Sequence, residues 1–483
     1  MASIENDAGM QQYQHRRSRH WDAVSAQSAH MRLFSRHYQE LLKHYYRFFV
    51  APQSRVLELG CGHGHLLAAL KPARGVGIDF SSQMIAVASA NYADLEFICD
   101  DVHTFQYTRL QTTFDVIILS DLVNDLWDVQ HVLQSLKPVL HPGTRVIINY
   151  FNNLWHLPLS LARAMGLATR LCSQNWFAPD DVAHIFKLAG YEVIQRRPAI
   201  LVPLRRGWLS AIFNRYLVHL WPLHWFALTN FTIARPLCGP QEGPQPKVSV
   251  VVAARNEEGN IASVVRRLPA MGAQTELIFV EGHSNDRTFE AIAAVIAKYP
   301  HHDIKRFKQA GKGKGDAIRL GIGHAQGDII MILDADLSVP PEALIRFLEA
   351  IVSNTGEFIN GVRLVYPMED QAMRWLNLIA NKFFSLAFTW LLNQPVKDTL
   401  CGTKVFWKKD YDRIVRGRSY FGDFDPYGDF DLLFGAARLN LKMIDLPVRY
   451  RARTYGKTNI RRWRHGLLLL RMVFFAAKRI RFI

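Results

Sequence analysis

The stretch IIMILDADLSVPPEAL, residues 329 to 344, runs a series of buried-type apolar residues straight into two carboxylates, Asp334 and Asp336. Ligands of an open α/β sheet gather at the carboxyl ends of its strands, and hard carboxylate oxygens suit a divalent cation. An Asp-x-Asp at such a tip therefore reads as a clamp for a metal and a diphosphate. Taken alone the motif also fits a solvated turn, so its neighbours in the chain decide its meaning.

Two further blocks come earlier in the chain. In PKVSVVVAARNEEGNIASVVRRL, residues 246 to 268, a β-branched strand runs into Arg255, Asn256 and Glu257 and then into a helical pattern. In ELIFVEGHSNDRTFEAI, residues 276 to 292, a second apolar strand ends at Glu281, and a polar turn with Ser284 and Asp286 opens the next helix. Strand, acidic tip and helix, repeated, describe a βαβ layer that presents side chains along one edge. The glycines of GKGKGDAIRLGIGHAQGD, residues 311 to 328, with Lys312 and Lys314, are suited to wrapping a phosphate. A nucleotide diphosphate is the expected guest.

These blocks, with DTLCGTKVF, YGDFDLLF and RYRARTYGKT further on, resemble glycosyltransferase family 2 over residues 246 to about 460. The branch most similar is that of the dolichyl-phosphate and polyprenyl-phosphate sugar transferases, inverting enzymes with an A-type nucleotide-sugar fold. The resemblance implies nucleotide-sugar binding by Arg255, Glu257, Glu281, Asp286, Lys312, Asp316 and Asp334. It implies a cation, Mg or Mn, on Asp334 and Asp336, and catalytic roles for those two residues with Arg363 and Asp431. Two positions depart from the family pattern: Gly282 stands where a second acid is usual, and Leu433 where the later block usually ends in an acid. An acceptor phosphate is already ionised near neutral pH and needs no base, so the second departure leans towards a phosphate acceptor. Arg363 suits such a phosphate, although an isolated arginine also serves as an ion-pair partner. Arg451, Arg453 and Lys457 match a mobile basic loop of the family, with a solvated charge run as the alternative.

The first half of the chain carries a separate signature. RVLELGCGHGHLLAAL, residues 55 to 70, joins an apolar strand to Glu58, Gly60, Gly62 and Gly64 and then to a helix. A second strand ends at Asp79, a third at Asp101, and a fourth runs from Phe114 to Ser120. Four strands with polar tips, alternating with helices, build a doubly wound sheet. A glycine-rich turn alone serves several nucleotide cofactors, an NAD-binding fold included. Order and residues together resemble the class I S-adenosylmethionine-dependent methyltransferases over roughly residues 35 to 236. The resemblance implies donor binding by Glu58, Gly60, Gly62, Gly64, Asp79, Asp101 and Ser120, with Asp79 on the ribose and Asp101 facing the adenine. Beyond the fourth strand, Asp121, Asp125 and His131 are suited either to orienting or deprotonating a hydroxyl acceptor or to capping and surface solvation.

The fold class expected is α/β with two Rossmann-like domains, a class I methyltransferase sheet followed by an A-type glycosyltransferase fold. The boundaries are a polar extension 1–34, a methyltransferase domain 35–237, a Pro/Gly linker 238–246, a glycosyltransferase domain 247–460 and a basic amphipathic helix 461–483. Part of residues 1 to about 30 is expected to be disordered, with a helix around Tyr38 to Phe49 covering the donor site. The segment Pro203 to Trp225, rich in Trp, Leu and Arg, reads as a substrate lid, a membrane-touching surface or amphipathic core.

Lys plus Arg number 58 against 42 Asp plus Glu, a net charge of +16. From Arg451 onward there are ten Lys or Arg and no acid, interleaved with GLLLLRMVFFAA. That run is too short and too interrupted to cross a bilayer and suits an interfacial helix on anionic lipid, or a core helix with a basic face. Five cysteines without metal-ligand spacing and the lack of a signal-type apolar segment point to a reduced cytoplasmic setting, peripheral on the inner face of the plasma membrane. The expected activity is bifunctional. It combines methyl transfer from S-adenosylmethionine with metal-dependent inverting sugar transfer from a nucleotide sugar to a lipid-linked or glycan acceptor, with no nucleic acid as partner. The competing reading is a basic RNA-binding modification protein in which only the methyltransferase half is active.

Overall fold

Runs such as VIILS, RVIINYF, VSVVVAA and IIMILD bury almost every side chain, as strands covered on both faces by helices must. The structure is a computed structural model and describes all residues except 1–7, 28–32, 166–171, 173, 204–206, 241–242, 364, 366–374, 423–427, 452, 454 and 456–461. It divides into two units, Met1–Leu237 with Phe482–Ile483, and Cys238–Arg481.

The first unit holds seven strands: β1 Arg55–Leu59, β2 Arg74–Asp79, β3 Glu96–Cys99, β4 Val116–Ser120, β5 Arg145–Phe151, β6 Tyr191–Ile200 and β7 Thr229–Pro236. Their order is β3-β2-β1-β4-β5-β7-β6, with β7 antiparallel to both neighbours and the other pairs parallel. From β1 the chain moves outward to β3 and then returns to β4 on the other side of β1. The loops after β1 and β4 consequently diverge and open a crevice at the carboxyl edge, the place where such sheets bind ligands. Leu57, Leu59, Ile117, Leu119, Val146 and Ile148 form the core beneath it, each contributing about 2 kcal/mol on burial.

The second unit repeats the device with different strands: β8 Val248–Ala254, β9 Thr275–Glu281, β10 Asp303–Lys308, β11 Ile329–Asp334, β12 Phe358–Val362, β13 Lys404–Trp407 and β14 Met443–Pro447. The order is β10-β9-β8-β11-β13-β12-β14, and β13 runs antiparallel between β11 and β12. Here the switch lies between β8 and β11, so the segments beginning at Arg255 and Asp334 face one crevice. The start of β13 reaches the same edge, because Lys404 pairs with Ile332 near the end of β11.

Several local expectations differ from the structure. Residues Ala8–Gln27, within the stretch of which part was expected to be disordered, form a helix with Met10 and Arg17 buried. Polar sequence does not preclude order when a helix finds specific charged and hydrogen-bonding partners. The third strand ends at Cys99, two residues before Asp101, and the fourth starts at Val116 instead of Phe114. The helix near the C-terminus spans Arg462–Ala476; it buries Leu469, Met472 and Ala476 and exposes Leu467 and Phe474. Among the described residues no helix is long and apolar enough to cross a membrane.

Candidate active sites

At the crevice of the first unit, the turn after β1 carries Gly60, Gly62 and Gly64, all with positive φ. A Cβ on Gly64 would sit 2.6 Å from the Phe97 ring, so a side chain there would force the turn off the sheet. The Gly62 and Ser81 amides each donate to one oxygen of Asp79, at 2.9 Å. These bonds aim the carboxylate along the edge, while burial raises its pKa against them. Glu58 lies beneath the turn. One of its oxygens accepts from the Leu67 amide, and Oε2 is buried without a partner. Burial pushes this carboxyl up to about 8, with Asp79 adding to the effect. An orphaned, buried acidic oxygen is a group that the cationic amino-acid end of S-adenosylmethionine would satisfy.

Asp101 is held by His103, whose amide and ring nitrogen each lie 2.8 Å from Oδ1, and by Gln14, whose amide donates to Oδ2 at 2.6 Å. Burial raises this carboxyl, but the His103 and Gln14 bonds outweigh it and leave the pKa below the ordinary value. Gln14 belongs to the helix Ala8–Gln27, and no motif signalled it. Ser120, at the tip of β4, shares the Tyr46 hydroxyl with Asn149. The next residue, Asp121, has φ 55° and accepts from the Tyr38 hydroxyl at 2.8 Å and from the Asn149 amide at 2.5 Å. Burial pushes it up to about 7 against those two donors, with Asp125 adding to the rise. Asp125 itself is paired with Arg17 at 2.6 Å, and the His131 ring rests on the His103 carbonyl. A cavity of about 230 Å³ lined by Tyr13, Leu126, Trp127, Gln174 and Asn175 lies beside this loop.

In the second unit, Asp334 ends β11 and Asp336 follows two residues later. Lys314, in the first turn of the helix Lys314–His324, reaches Asp334 at 2.6 Å, while Lys312 is exposed. Burial opposes charge on both partners. Their attraction prevails, lowering the Asp334 pKa and raising that of Lys314. Asp429 also favours the Lys314 charge and pairs with the fully buried Lys404 at 3.0 Å, so acid and base alternate along this edge. A Cβ on Gly402 would fall 2.2 Å from the Asp334 carboxylate, and the missing side chain keeps that face open. Asp336 is met by Arg453 at 2.7 Å, and the same guanidinium lies 3.5 Å from Glu257. Glu257 also accepts from Asn260 at 2.6 Å, and burial raises its pKa.

The other residues named from sequence lie around this cluster in varied states. Glu281 is buried and accepts from the Ser284 amide at 2.5 Å. Asp286 caps its turn, accepting from the Glu258 and Thr288 amides. Asp316 lies against Gly311, and Arg255 is exposed. Arg363 is committed to Asp398 through a fork of 2.6 and 2.8 Å, and stacks over Tyr450. Asp431 pairs with Arg418 at 2.7 Å, so it is Asp429 that joins the lysines beside Asp334. Lys457 lies outside the described residues. Among the described residues no group of three or more His, Cys, Asp or Glu forms a ready cation cage. Two carboxylates completed by substrate phosphate oxygens is the usual mode for Mg, so Asp334 and Asp336 fit such an ion.

Residues 34–196 match the family model described as a methyltransferase domain, and residues 249–414 that of glycosyl transferase family 2. The chain joins a methyltransferase domain to a family 2 glycosyltransferase domain. Its glycosyltransferase domain is similar to the dolichol-phosphate mannosyltransferase of Pyrococcus furiosus, 36% identical over 25% of this chain and 34% of that protein. It is also similar to the undecaprenyl-phosphate 4-deoxy-4-formamido-L-arabinose transferase of Salmonella paratyphi A, 32% identical over 36% of this chain and 52% of that one. The chain thus spans between a third and about half of the length of these relatives. A solved S-adenosylmethionine-dependent methyltransferase from Mesorhizobium loti is 15% identical, with a TM-score of 0.30 over 38% of this chain and 92% of that one.

Proposed function

We propose that the protein is a bifunctional transferase of glycan or glycolipid assembly. The glycosyltransferase domain moves a sugar from a nucleotide donor to a polyprenyl-phosphate or similar membrane-borne acceptor, and the methyltransferase domain methylates a hydroxyl of a related molecule. The carrying observation is the cluster at the β8/β11 crevice, where Asp334, Asp336, Glu257 and Lys314 converge. A divalent cation held by Asp334 and Asp336 would neutralise the departing diphosphate. Lys314 adds positive charge from within the chain, and Glu257 offers an acceptor to the nucleoside.

The names of both relatives place a polyprenyl-type phosphate in their reactions, which supports the acceptor class. Exposed Phe383, Leu386, Leu467 and Phe474, on two helices of the glycosyltransferase unit that pack together, support a membrane-facing side near the basic segment from Arg451 onward. In the methyltransferase domain, Glu58, Asp79 and Asp101 would hold the donor, and Asp121 would take the proton from a hydroxyl acceptor.

The test uses the full chain with S-adenosylmethionine, a panel of nucleotide sugars, Mn²⁺ and a polyprenyl phosphate. Asp336→Ala should abolish sugar-nucleotide turnover and leave S-adenosylmethionine binding intact, and Asp79→Ala should do the reverse. Loss of both activities by either variant, with the fold preserved, would refute two independent sites.

A further inference from the structure

The methyltransferase unit carries an apolar surface that neither candidate site uses. Helix His156–Ala164 turns Leu157 and Leu161, one helical turn apart, into solvent at 77% and 62% exposure, and Leu154 precedes them at 53%. The turn Leu223–Phe226 lies beside it. The Asn152 amide donates to the Trp225 carbonyl at 2.9 Å, and the Trp155 indole donates to the Phe226 carbonyl at 2.8 Å. On that turn and just before it, Trp221, Trp225 and Phe226 are 75%, 54% and 52% exposed, and the two indoles meet edge to face. The six exposed side chains thus belong to two segments tied together by hydrogen bonds, and exposed apolar residues grouped in this way mark an interaction site.

The charge around the patch narrows its partner. No Asp or Glu occurs from residue 129 to 179 or from 193 to 241, and although Arg145, Arg197 and Arg235 are buried, Arg196 and Arg215 are exposed and Arg163 is half-buried. The buried strands β5, β6 and β7 account for part of these stretches, and what remains around the patch is a surface without acids. Such a surface suits phosphate head groups, since an acid there is repelled while an exposed Lys or Arg near the lipid gains about 1 kcal/mol. Tryptophan beside leucine and arginine is the composition of the water-lipid boundary, where amphipathic rings sit at head-group level.

We propose that the methyltransferase unit docks on an anionic lipid surface through Leu154, Leu157, Leu161, Trp221, Trp225 and Phe226. This contact belongs to the first unit and is separate from the helices of the glycosyltransferase unit discussed above. Asn152, which ties the patch together, directly follows β5, so the patch lies at the same carboxyl edge as Asp121. If the methyltransferase reading holds, the methyl acceptor is a lipid-borne molecule delivered from that side; the docking does not depend on that reading.

The experiment is flotation of the full chain with vesicles of phosphatidylcholine alone and of phosphatidylcholine with phosphatidylglycerol, for wild type, Leu157→Asp/Trp225→Asp and Leu467→Asp/Phe474→Asp. The first variant should lose about tenfold in partitioning to anionic vesicles and the second should keep a patch-dependent share. Both should bind S-adenosylmethionine like wild type, which separates loss of docking from loss of the donor site. Quenching of wild-type tryptophan by brominated phosphatidylglycerol reports the contact without any substitution, and Trp221→Phe/Trp225→Phe should remove most of it. Unchanged flotation of the first variant, or absence of quenching, overturns the proposal. So does a wild-type dimer that this variant converts to monomer, since the patch would then be an interface between copies.

Discussion

Arg453 closes an ion pair of 2.7 Å with Asp336, and thereby places a protein cation on one of the two carboxylates assigned to the metal. A divalent cation held there would have to compete with the guanidinium for the same oxygens. Because Arg453 keeps 31% of its side chain exposed, the pair is screened and is worth about 1 kcal/mol. Arg453→Ala should accordingly tighten Mn²⁺ binding to the free protein about fivefold by calorimetry. A weaker affinity would mean that Arg453 supports the ion site instead of competing for it.

Lys314 opens the helix Lys314–His324 while Lys312 lies in the loop before it, and of the two only Lys314 touches Asp334. Lys314→Met should weaken binding of a nucleoside diphosphate with Mn²⁺ by about tenfold, the value of one charge-assisted contact. Lys312→Met should change it less than about threefold, as expected for an exposed, screened charge. Equal losses in the two variants would contradict the pairing.

Both crevices were legible in the sequence because strand tips announce themselves: an apolar run followed by Glu58, Asp79, Glu257 or Asp334 fixes which edge the side chain occupies. Which of two nearby charges turns inward was not. In GKGKGD the inward lysine is Lys314, which opens the helix while Lys312 stays in the loop before it, and in GDFD the acid beside the lysines is Asp429, because positions two apart on a helix face different ways. Partners distant in sequence left no local trace either. Gln14 on Asp101, Tyr38 on Asp121 and Asp398 on Arg363 are 87, 83 and 35 residues away from those side chains. The helix Ala8–Gln27 left no signal in the sequence because its polar residues, Gln14 and Arg17 among them, find their partners only in the folded chain.

Tyr38 donates to Asp121 and so favours its charged form, against the burial that pushes this carboxyl up to about 7. Tyr38→Phe removes that support and should move the Asp121 titration upward by about one pH unit. Infrared difference spectra of each protein against its Asp121→Asn counterpart would follow the protonated carboxyl band through the titration. The rate of methyl transfer should rise through the same midpoint, since the ionised carboxylate is the form able to accept a proton. A midpoint that falls, or does not move, would show that the hydroxyl fails to control this group.

Glu58 gives the protein a stability that depends on pH in the direction opposite to that of a salt-bridged acid. Its folded pKa, about 8, lies above the value of roughly 4.3 for an unfolded glutamate, so the native state holds the extra proton between those limits. The stabilisation is complete below the lower value and is lost as pH rises through the higher one, at no more than about 1.4 kcal/mol per pH unit. The melting temperature of the methyltransferase unit should therefore fall between pH 5.5 and 8, and Glu58→Gln should flatten the decline. Occupation of the donor site should reverse the preference, because an ammonium beside the orphaned Oε2 favours the carboxylate. Calorimetry of S-adenosylmethionine binding at pH 7 in buffers of different ionisation enthalpy should then register release of up to about one proton. In Glu58→Gln no such release should occur, and an unchanged proton count in that variant would place the titrating group elsewhere.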